Sequence, residues 1–295
     1  MGPVMNDHTP SVASSGAATV AFDPSSATDP DAPILFQRQG SVAVLTLNRP
    51  QTRNALSGEE MFGAFERIFA YLNTEMSIRC AILTGSGSAF CSGGNVAQMR
   101  DREGMFAGNP EDIAQNYKAG IQRIPRAFEK LQLPIIAAVN GPAIGAGNDL
   151  ACMCDIRLAS SRAVFAESFV KVGIIPGDGG CWLLPRTIGY ARAAQMALTG
   201  ESIDAQEALR FGLVSEVVDP ELLMKEALSL AHRIAQNPPQ VLRWTKQLLQ
   251  EARGCTLDEA LVRAGVLQGL AHHTADHTEA VNAFFEKRTP VFGAN

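Results

Sequence analysis

The sequence lacks the features that would mark several broad classes of protein. It has no unbroken apolar run of about 18 residues, the length that a membrane-spanning helix needs. The formal net charge is −5 at pH 7, which offers no basic excess for coating nucleic acid or an anionic membrane surface. We therefore expect neither a membrane nor a nucleic-acid partner.

Cysteine is also sparse, and its placement predicts no metal site. Of the six cysteines, only Cys152 and Cys154 are close in sequence, as C-x-C without a second pair or a histidine at zinc spacing. Buried free thiols in a reducing compartment are the simplest interpretation, and they favour a cytoplasmic protein. No cluster of residue types implies a metal or a redox cofactor.

Motifs of three common enzyme classes are missing. The glycines of Gly141–Gly147 are spaced G-x-x-x-G-x-G, which differs from the G-x-G-x-x-G of dinucleotide-binding folds. There is no G-x-x-x-x-G-K-[ST] nucleotide loop and no G-x-S-x-G nucleophile elbow. The five histidines lie in the N-terminal or C-terminal parts of the chain, which disfavours a Ser-His-Asp hydrolase.

Three regions follow one another along the chain. Residues 1–32 are rich in Ser, Ala, Pro, Thr and Asp and predict a disordered tail. Residues 33–218 contain short apolar strands that lead through glycine-rich loops into helical patterns, which is typical of an α/β fold with parallel strands. Residues 219–295 hold four helical patterns and predict a helical subdomain or an oligomerisation element.

Two loops with the same construction are the strongest candidates for a site. Both Leu83–Val96 and Val139–Leu150 run from an apolar strand into a stretch of glycine and alanine. Small residues let a ligand approach the backbone, and N–H groups at a helix N-terminus favour a negatively charged partner. Two donors that converge on one oxygen would form an oxyanion hole, but composition alone does not distinguish this from two ordinary turns.

Six segments occur together in an order that resembles the crotonase superfamily, the enoyl-CoA hydratase/isomerase family. They are LNRPQTRNALS, AFCSGGNVAQM, VNGPAIGAGNDLACMCDIRLAS, FAESFVKVGIIPGDGG, ALTGESIDAQEALRFGLVSEVV and FFEKRTPVF, spread over residues 34–292. The resemblance implies a spiral core of ββα turns with a C-terminal helical region that assembles into trimers or dimers of trimers. It also implies an acyl-CoA substrate, with coenzyme A as part of that substrate and no separate cofactor.

The same resemblance assigns roles to particular residues. It places the oxyanion-hole N–H groups on Gly94 and Ala146, one in each glycine-rich loop. Binding of the substrate and its coenzyme A is expected from a further set: Arg53, Ala55, Leu56, Ser92, Phe169 and Lys287. Ordinary solvated charge is the alternative for Arg53 and Lys287.

The carboxylates depart from the pattern of the family's hydratases, which use two glutamates. Asp149 stands at the first position and Phe169 at the second, so the second acid is missing there. Asp178 is the candidate replacement, although it could instead cap the following helix. Glu167 is expected to be a solvated or salt-bridged side chain rather than a catalytic one.

Hydration of a 2-enoyl-CoA to a 3-hydroxyacyl-CoA is the activity that the resemblance favours. A double-bond isomerase is the first alternative, because that reaction needs only one base and Asp149 is one secure carboxylate. An acyl-CoA hydrolase or decarboxylase, and a non-catalytic acyl-CoA-binding protein, are further alternatives.

Overall fold

The computed structural model describes Phe22, Pro24 and residues 29–293; the rest of the expected tail lies outside the described residues. The strands are β1 (Ile34–Gln39), β2 (Val42–Leu47), β3 (Cys80–Gly85), β4 (Ile135–Val139), β5 (Ala143–Ile144), β6 (Ile156–Ser160), β7 (Val164–Ala166), β8 (Ser202–Asp204) and β9 (Glu216–Val218). The helices are α1 (Glu59–Thr74), α2 (Val96–Asp101), α3 (Pro110–Ala119), α4 (Arg123–Lys130), α5 (Ala146–Met153), α6 (Gly180–Ile188), α7 (Tyr190–Thr199), α8 (Ala205–Phe211), α9 (Leu223–Ala235), α10 (Pro239–Glu251), α11 (Leu257–His272) and α12 (Ala275–Glu286).

A six-stranded sheet forms the centre of the fold, with strand order β1-β2-β3-β4-β6-β9. Strands β1 and β2 form an antiparallel hairpin through Gly40, whose φ is 60°, and the other neighbours are parallel. All five residues of β4 are buried, as expected for a parallel strand covered on both faces. The α/β class predicted from the sequence is confirmed.

A second, three-stranded sheet in the order β5-β7-β8 stands beside the first. Strand β5 follows β4 after only a short turn and pairs in parallel with β7. An isolated bridge also joins Ala143 of β5 to Cys91, in the loop that follows β3. This sheet therefore brings the ends of the two glycine-rich loops side by side.

Helices cover both faces of the main sheet. On one face, Phe65 and Phe69 of α1 pack against Phe128 of α4, and the Phe69 and Phe128 rings meet edge to face at 4.8 Å. On the other face, α9 lies against β2, β3, β4 and β6 and buries the residues Leu223, Ala227, Ala231 and Ala235 at four-residue spacing. This helix lies beyond residue 218, yet it helps to cover the sheet.

Of the last three helices, α10 is held to the core by a buried lysine, whereas α11 and α12 are largely exposed. The Lys246 ammonium of α10 is 4% exposed, lies 2.8 Å from an Asp155 carboxylate oxygen and donates to the Leu133 carbonyl at 3.0 Å. In contrast, α11 and α12 expose a set of large apolar side chains: Leu257, Leu261, Val262, Val266, Leu270, Val281, Phe284 and Phe285. No helix in the described part of the chain has the length and apolarity to cross a membrane.

Candidate active site

The two glycine-rich loops lie against each other with backbone in direct contact. The Ile144 N–H donates to the Cys91 carbonyl at 3.0 Å. A Cβ atom on Gly93 would lie 2.5 Å from the Ile144 oxygen and 3.1 Å from the Ala146 nitrogen, and one on Gly147 would lie 2.1 Å from the Cys91 oxygen. Glycine is required here because these separations leave no room for a side chain.

The backbone N–H groups of Gly94 and Ala146 have no acceptor among the described residues. Ala146 is the first residue of α5, where an N–H has no acceptor inside the helix, and the preceding Gly145 has a φ of 55°. The two predicted oxyanion donors are thus on adjoining loops and available to a ligand.

Three buried carboxylates lie close together beside the first turn of α5. The exposed fraction is 0% for Asp149, 1% for Glu167 and 3% for Asp178. A Cβ atom on Gly180 would lie 2.5 Å from both carboxylate oxygens of Asp149 and 2.3 Å from Oε1 of Glu167. Asp178 belongs to the same group, since after burial its negative charge is the largest cause of the raised pKa of Asp149.

The electrostatics of this cluster favour bound protons. Burial raises the pKa of Asp149 well above its ordinary value, and the negative charges of Asp178 and Glu167 raise it further. Burial likewise raises the pKa of Asp178, and it raises that of Glu167 to about 7. No lysine, arginine or histidine of the described chain forms an ion pair with any of the three. The burial of such groups side by side therefore requires that at least one of them is protonated.

The expectation that Glu167 is solvated or salt-bridged is wrong. Strand β7 ends at Ala166, and a 3₁₀ helix spans Ser168–Val172, so Glu167 occupies the turn between the two elements. Its side chain turns inward, where the Asn148 amide donates to Oε2 at 2.9 Å. Reasoning from the sequence missed Asn148, although its position directly before Asp149 in a buried helix was the available signal.

Asp178 does not cap the helix that follows it. Helix α6 has Gly179 at its N-cap position and no side-chain cap, and the Asp178 carboxylate is buried with Asp149. The neighbouring Gly177 is fixed from the other side, because its carbonyl accepts from the Gln122 amide at 2.9 Å. The structure therefore brings Asp149 and Asp178 together, as a shared role in the site requires.

Phe169 stands beside the oxyanion loop and not within the carboxylate cluster. The ring is half-buried, and its Cζ atom lies 3.6 Å from the position of a Cβ on Gly145. It therefore covers the turn that begins α5 with apolar surface. This contact is consistent with a residue that touches the substrate but does not transfer a proton.

A cavity of about 600 Å³ adjoins both parts of the site. Its lining is largely apolar and includes Val96, Met99, Phe106, Ile113, Tyr117 and Ile174. At one end, the Met99 Cε atom lies 2.8 Å from a Cβ position on Gly94; at the other, Tyr117 packs on Gly177. Burial and the charge of Asp178 raise the pKa of Tyr117, a residue that reasoning from the sequence also missed.

The predicted coenzyme A residues separate into two groups. Arg53 adopts a φ of 53°, and its carbonyl accepts from the Ser92 N–H at 2.9 Å, while Leu56 donates to the Gly93 carbonyl at 2.8 Å. Arg53, Ala55, Leu56 and Ser92 thus lie on two segments joined beside the oxyanion loop. Lys287 ends α12, which packs mainly against α11.

The described residues contain no group of three or more His, Cys, Asp or Glu side chains arranged to hold a metal ion. The site is therefore a pair of unpaired backbone donors next to buried carboxylates and an apolar cavity. On a parallel-sheet core with crossover helices, this arrangement has the features of an enzyme site, since the two donors can bind an oxygen that gains negative charge and the carboxyl groups beside them can exchange protons.

Comparisons with known proteins identify the family. The model of the family described as "Enoyl-CoA hydratase/isomerase" matches residues 37–295, and the chain belongs to that family. It is 36% identical to the short-chain-enoyl-CoA hydratase of Clostridium acetobutylicum, over 86% of this chain and 95% of the relative. It is 38% identical to the 1,2-epoxyphenylacetyl-CoA isomerase of Escherichia coli, over 88% and 97% respectively.

Solved structures agree with this assignment. The crystal structure of an enoyl-CoA hydratase from Bacillus anthracis superposes with a TM-score of 0.83 at 34% identity, covering 89% of this chain and all of the other. The predicted membership of the crotonase superfamily and the predicted fold are confirmed.

Proposed function

We propose that the protein hydrates a 2-enoyl-CoA to a 3-hydroxyacyl-CoA. The observation that carries this proposal is the placement of the unpaired Gly94 and Ala146 N–H groups beside a buried cluster that contains Asp149 and Asp178. Most of the named relatives support it, since they include a short-chain-enoyl-CoA hydratase and a 2,3-dehydroadipyl-CoA hydratase. No separate metal or redox cofactor is part of the proposal.

The geometry suggests how the chemistry proceeds. The thioester oxygen accepts hydrogen bonds from Gly94 and Ala146, which stabilise the enolate that forms when water adds to Cβ. An ionised carboxylate takes a proton from that water, and a protonated carboxyl group delivers a proton to Cα. The water oxygen and one hydrogen form the hydroxyl group, the other hydrogen balances the proton delivered to Cα, and the site regains its starting charge.

Substrate binding follows from the surroundings of the oxyanion loop. The acyl chain occupies the apolar cavity that Met99 and Tyr117 border, with Phe169 against the thioester end. The coenzyme A moiety lies over Ala55, Leu56 and Ser92, with Arg53 on a phosphate. Lys287 reaches the same coenzyme A from a neighbouring subunit.

This role of Lys287 requires more than one subunit, and we propose a homotrimer or a dimer of trimers. The exposed apolar side chains of α11 and α12 support it, because contiguous apolar surface of this kind usually marks an interface. Light scattering of the purified protein should give three or six times the 31.5 kDa chain mass. A monomer at micromolar concentration would contradict the proposed assembly. The six free thiols favour a cytoplasmic location.

A double-bond isomerase is the second candidate, and Phe169 favours it. With the family's second glutamate position occupied by phenylalanine, the single carboxylate of Asp149 could move a proton between Cα and Cγ. The relationship to the 1,2-epoxyphenylacetyl-CoA isomerase of E. coli supports this alternative.

The deciding experiment follows ultraviolet absorbance of the conjugated thioester with short, medium and aryl 2-enoyl-CoAs. Wild-type protein should consume them, and Asp149→Asn should lower kcat by about 10²- to 10⁴-fold, the usual contribution of a general acid or base. Asp178→Asn tests the second carboxylate, and the exposed Asp219→Asn serves as control. Binding of the thioesters without any absorbance change would overturn hydration, and 3-enoyl-CoAs would then test isomerisation.

A further inference from the structure

Glu167 is a buried carboxylate that the proposed reaction does not use. Its exposed fraction is 1%, and its Oε1 atom has no hydrogen-bond donor in the described structure. Oε2 accepts from the Asn148 amide at 2.9 Å. Burying a carboxylate with a single neutral donor is costly unless it binds a proton.

The position of Glu167 places Asp149 between two other carboxylates. A single Cβ position on Gly180 lies within 2.5 Å of both Asp149 carboxylate oxygens and of Oε1 of Glu167, and the negative charge of Asp178 acts on Asp149 and on Glu167. Asp178 lies on the side of the acyl cavity, since Tyr117 of the cavity wall packs on the adjacent Gly177 and is affected by the charge of Asp178. Glu167 instead borders a separate cavity of about 180 Å³, lined mainly by apolar residues of α6 and α7.

Among residues 29–293, the groups that face this cluster supply no positive charge. From α5, Glu167 faces Asp149 and the Cys152 thiol, and from the loop before α6 it faces Asp178. Burial raises the pKa of Cys152 to about 12, so this thiol is neutral. Asp178 in turn faces the Tyr117 hydroxyl and the Cys91 thiol, both held neutral by burial. Three buried carboxylates this close together repel one another when all are ionised. A proton shared between two of them reduces that repulsion.

We propose that Glu167 is a positioning residue that shares a proton with Asp149. The shared proton holds one oxygen of the Asp149 carboxylate on the side away from the acyl cavity. The other oxygen then points toward Asp178 and the substrate. Glu167 thereby supports the reaction from a position two residues before Phe169, where the glutamate is missing. This inference rests on the proposed acid–base role of Asp149.

A spectroscopic test on the resting protein needs no substrate. Infrared spectra should contain the C=O band of a protonated carboxyl group that shifts on ¹³C-glutamate labelling and loses intensity as the pH rises through about 7. Glu167→Gln should remove the glutamate-sensitive band, and the exposed Glu201→Gln should keep it. If wild-type protein gives no protonated-carboxyl band that shifts on either ¹³C-glutamate or ¹³C-aspartate labelling between pH 5 and the neutral range, the shared proton does not exist, whichever reaction the enzyme catalyses.

A kinetic test examines the link to Asp149. Glu167→Gln removes a neighbouring negative charge, so the pKa of Asp149 falls and the acid limb of kcat/KM should move to lower pH. We expect kcat to fall by about 10-fold or more with little change in KM, because orientation and not binding is lost. Glu167→Asp, which keeps a carboxylate, should retain the limb near its wild-type position.

Two outcomes would overturn the proposal in the kinetic test. One is a Glu167→Gln enzyme with wild-type kcat and pH profile, which would make Glu167 a packing residue. The other is an equal loss in Glu167→Gln and Glu167→Asp without any movement of the acid limb. An inactive wild-type protein that still has the glutamate band would count against the proposed function, and not against the shared proton.

Discussion

Gly180 and Asp149 are in such close contact that a side chain on residue 180 has no space. A Cβ atom there would lie 2.5 Å from each carboxylate oxygen of Asp149, well inside any real contact. Gly180 is also the first residue of α6, whose N-terminal end favours nearby negative charge. The approach of this helix end, permitted by glycine, fixes the spacing of the buried carboxylates.

Substitution of this glycine should disrupt the cluster. Gly180→Ala forces Asp149 and Glu167 apart, and overpacking of this kind destabilises a fold by about 1–3 kcal/mol. Enoyl-CoA turnover should fall more than the fraction of folded protein, as measured by urea unfolding and absorbance assays together. Gly254→Ala, at a site with open space and ordinary φ, is the matched control and should leave both unchanged. Wild-type turnover in Gly180→Ala would contradict the packing described here.

The two oxyanion loops should respond differently to an added methyl group. In Gly147→Ala the new Cβ would meet the Cys91 carbonyl at 2.1 Å, and that backbone cannot yield without separating the loops. In Gly94→Ala the nearest atom is the flexible end of Met99 at 2.8 Å, which can move aside. We expect a clear fall in melting temperature for the first variant only, and comparable melting of the two would refute this distinction.

The protonation of Glu167 has a consequence for stability. Its pKa rises from an ordinary 4.5 to about 7 in the folded state, so the native protein holds this proton more tightly than the unfolded chain. Stability from this group is therefore complete below pH 4.5 and is lost as the pH rises to about 7, by roughly 3 kcal/mol at most. Asp149, whose pKa is also raised, contributes in the same direction.

Glu167→Gln isolates that contribution. The variant has no carboxyl group to titrate, so its unfolding free energy relative to wild type should increase between pH 5 and pH 8. Urea unfolding at several pH values measures the difference, in which carboxylates outside the cluster cancel and the lower pKa of Asp149 in the variant acts in the same direction. A difference that stays constant over this range would mean that Glu167 titrates alike in both states.

The buried ion pair between α10 and the sheet should matter far more than surface pairs. Lys246→Met would remove the ammonium from the Leu133 carbonyl and from Asp155, which is 24% exposed and still accepts from the Ile135 N–H, so we expect a loss of about 1.5–3 kcal/mol, typical of a hydrogen bond to a charged group. The control is Arg162→Met, because Arg162 and Glu221 are 3.5 Å apart and both largely exposed. Its loss should stay under about 1 kcal/mol in urea unfolding. Equal losses would show that burial of Lys246 is unimportant.

The amino-acid sequence contains enough local information to predict the framework of the site. Apolar strands that lead through glycine-rich loops to Gly94 and Ala146 predict parallel strands with backbone close to a ligand, because small side chains leave the N–H groups accessible. The identity of Asp149 and the replacement of a glutamate by Phe169 are likewise properties of the sequence. These features depend on residues that are neighbours along the chain.

The role of Glu167 depended on tertiary structure. Within a strand or a helix its direction would differ, and only the turn between β7 and the 3₁₀ helix sends it inward. Its contact with Asp149 joins residues 18 positions apart through the approach of α6 at Gly180. The sequence by itself determined which groups are available for chemistry, because residue type sets charge and backbone freedom. Tertiary structure decided which of them lie together in a buried environment without a neighbouring positive charge. Burial and proximity raise the pKa of a carboxyl group only after the chain has folded.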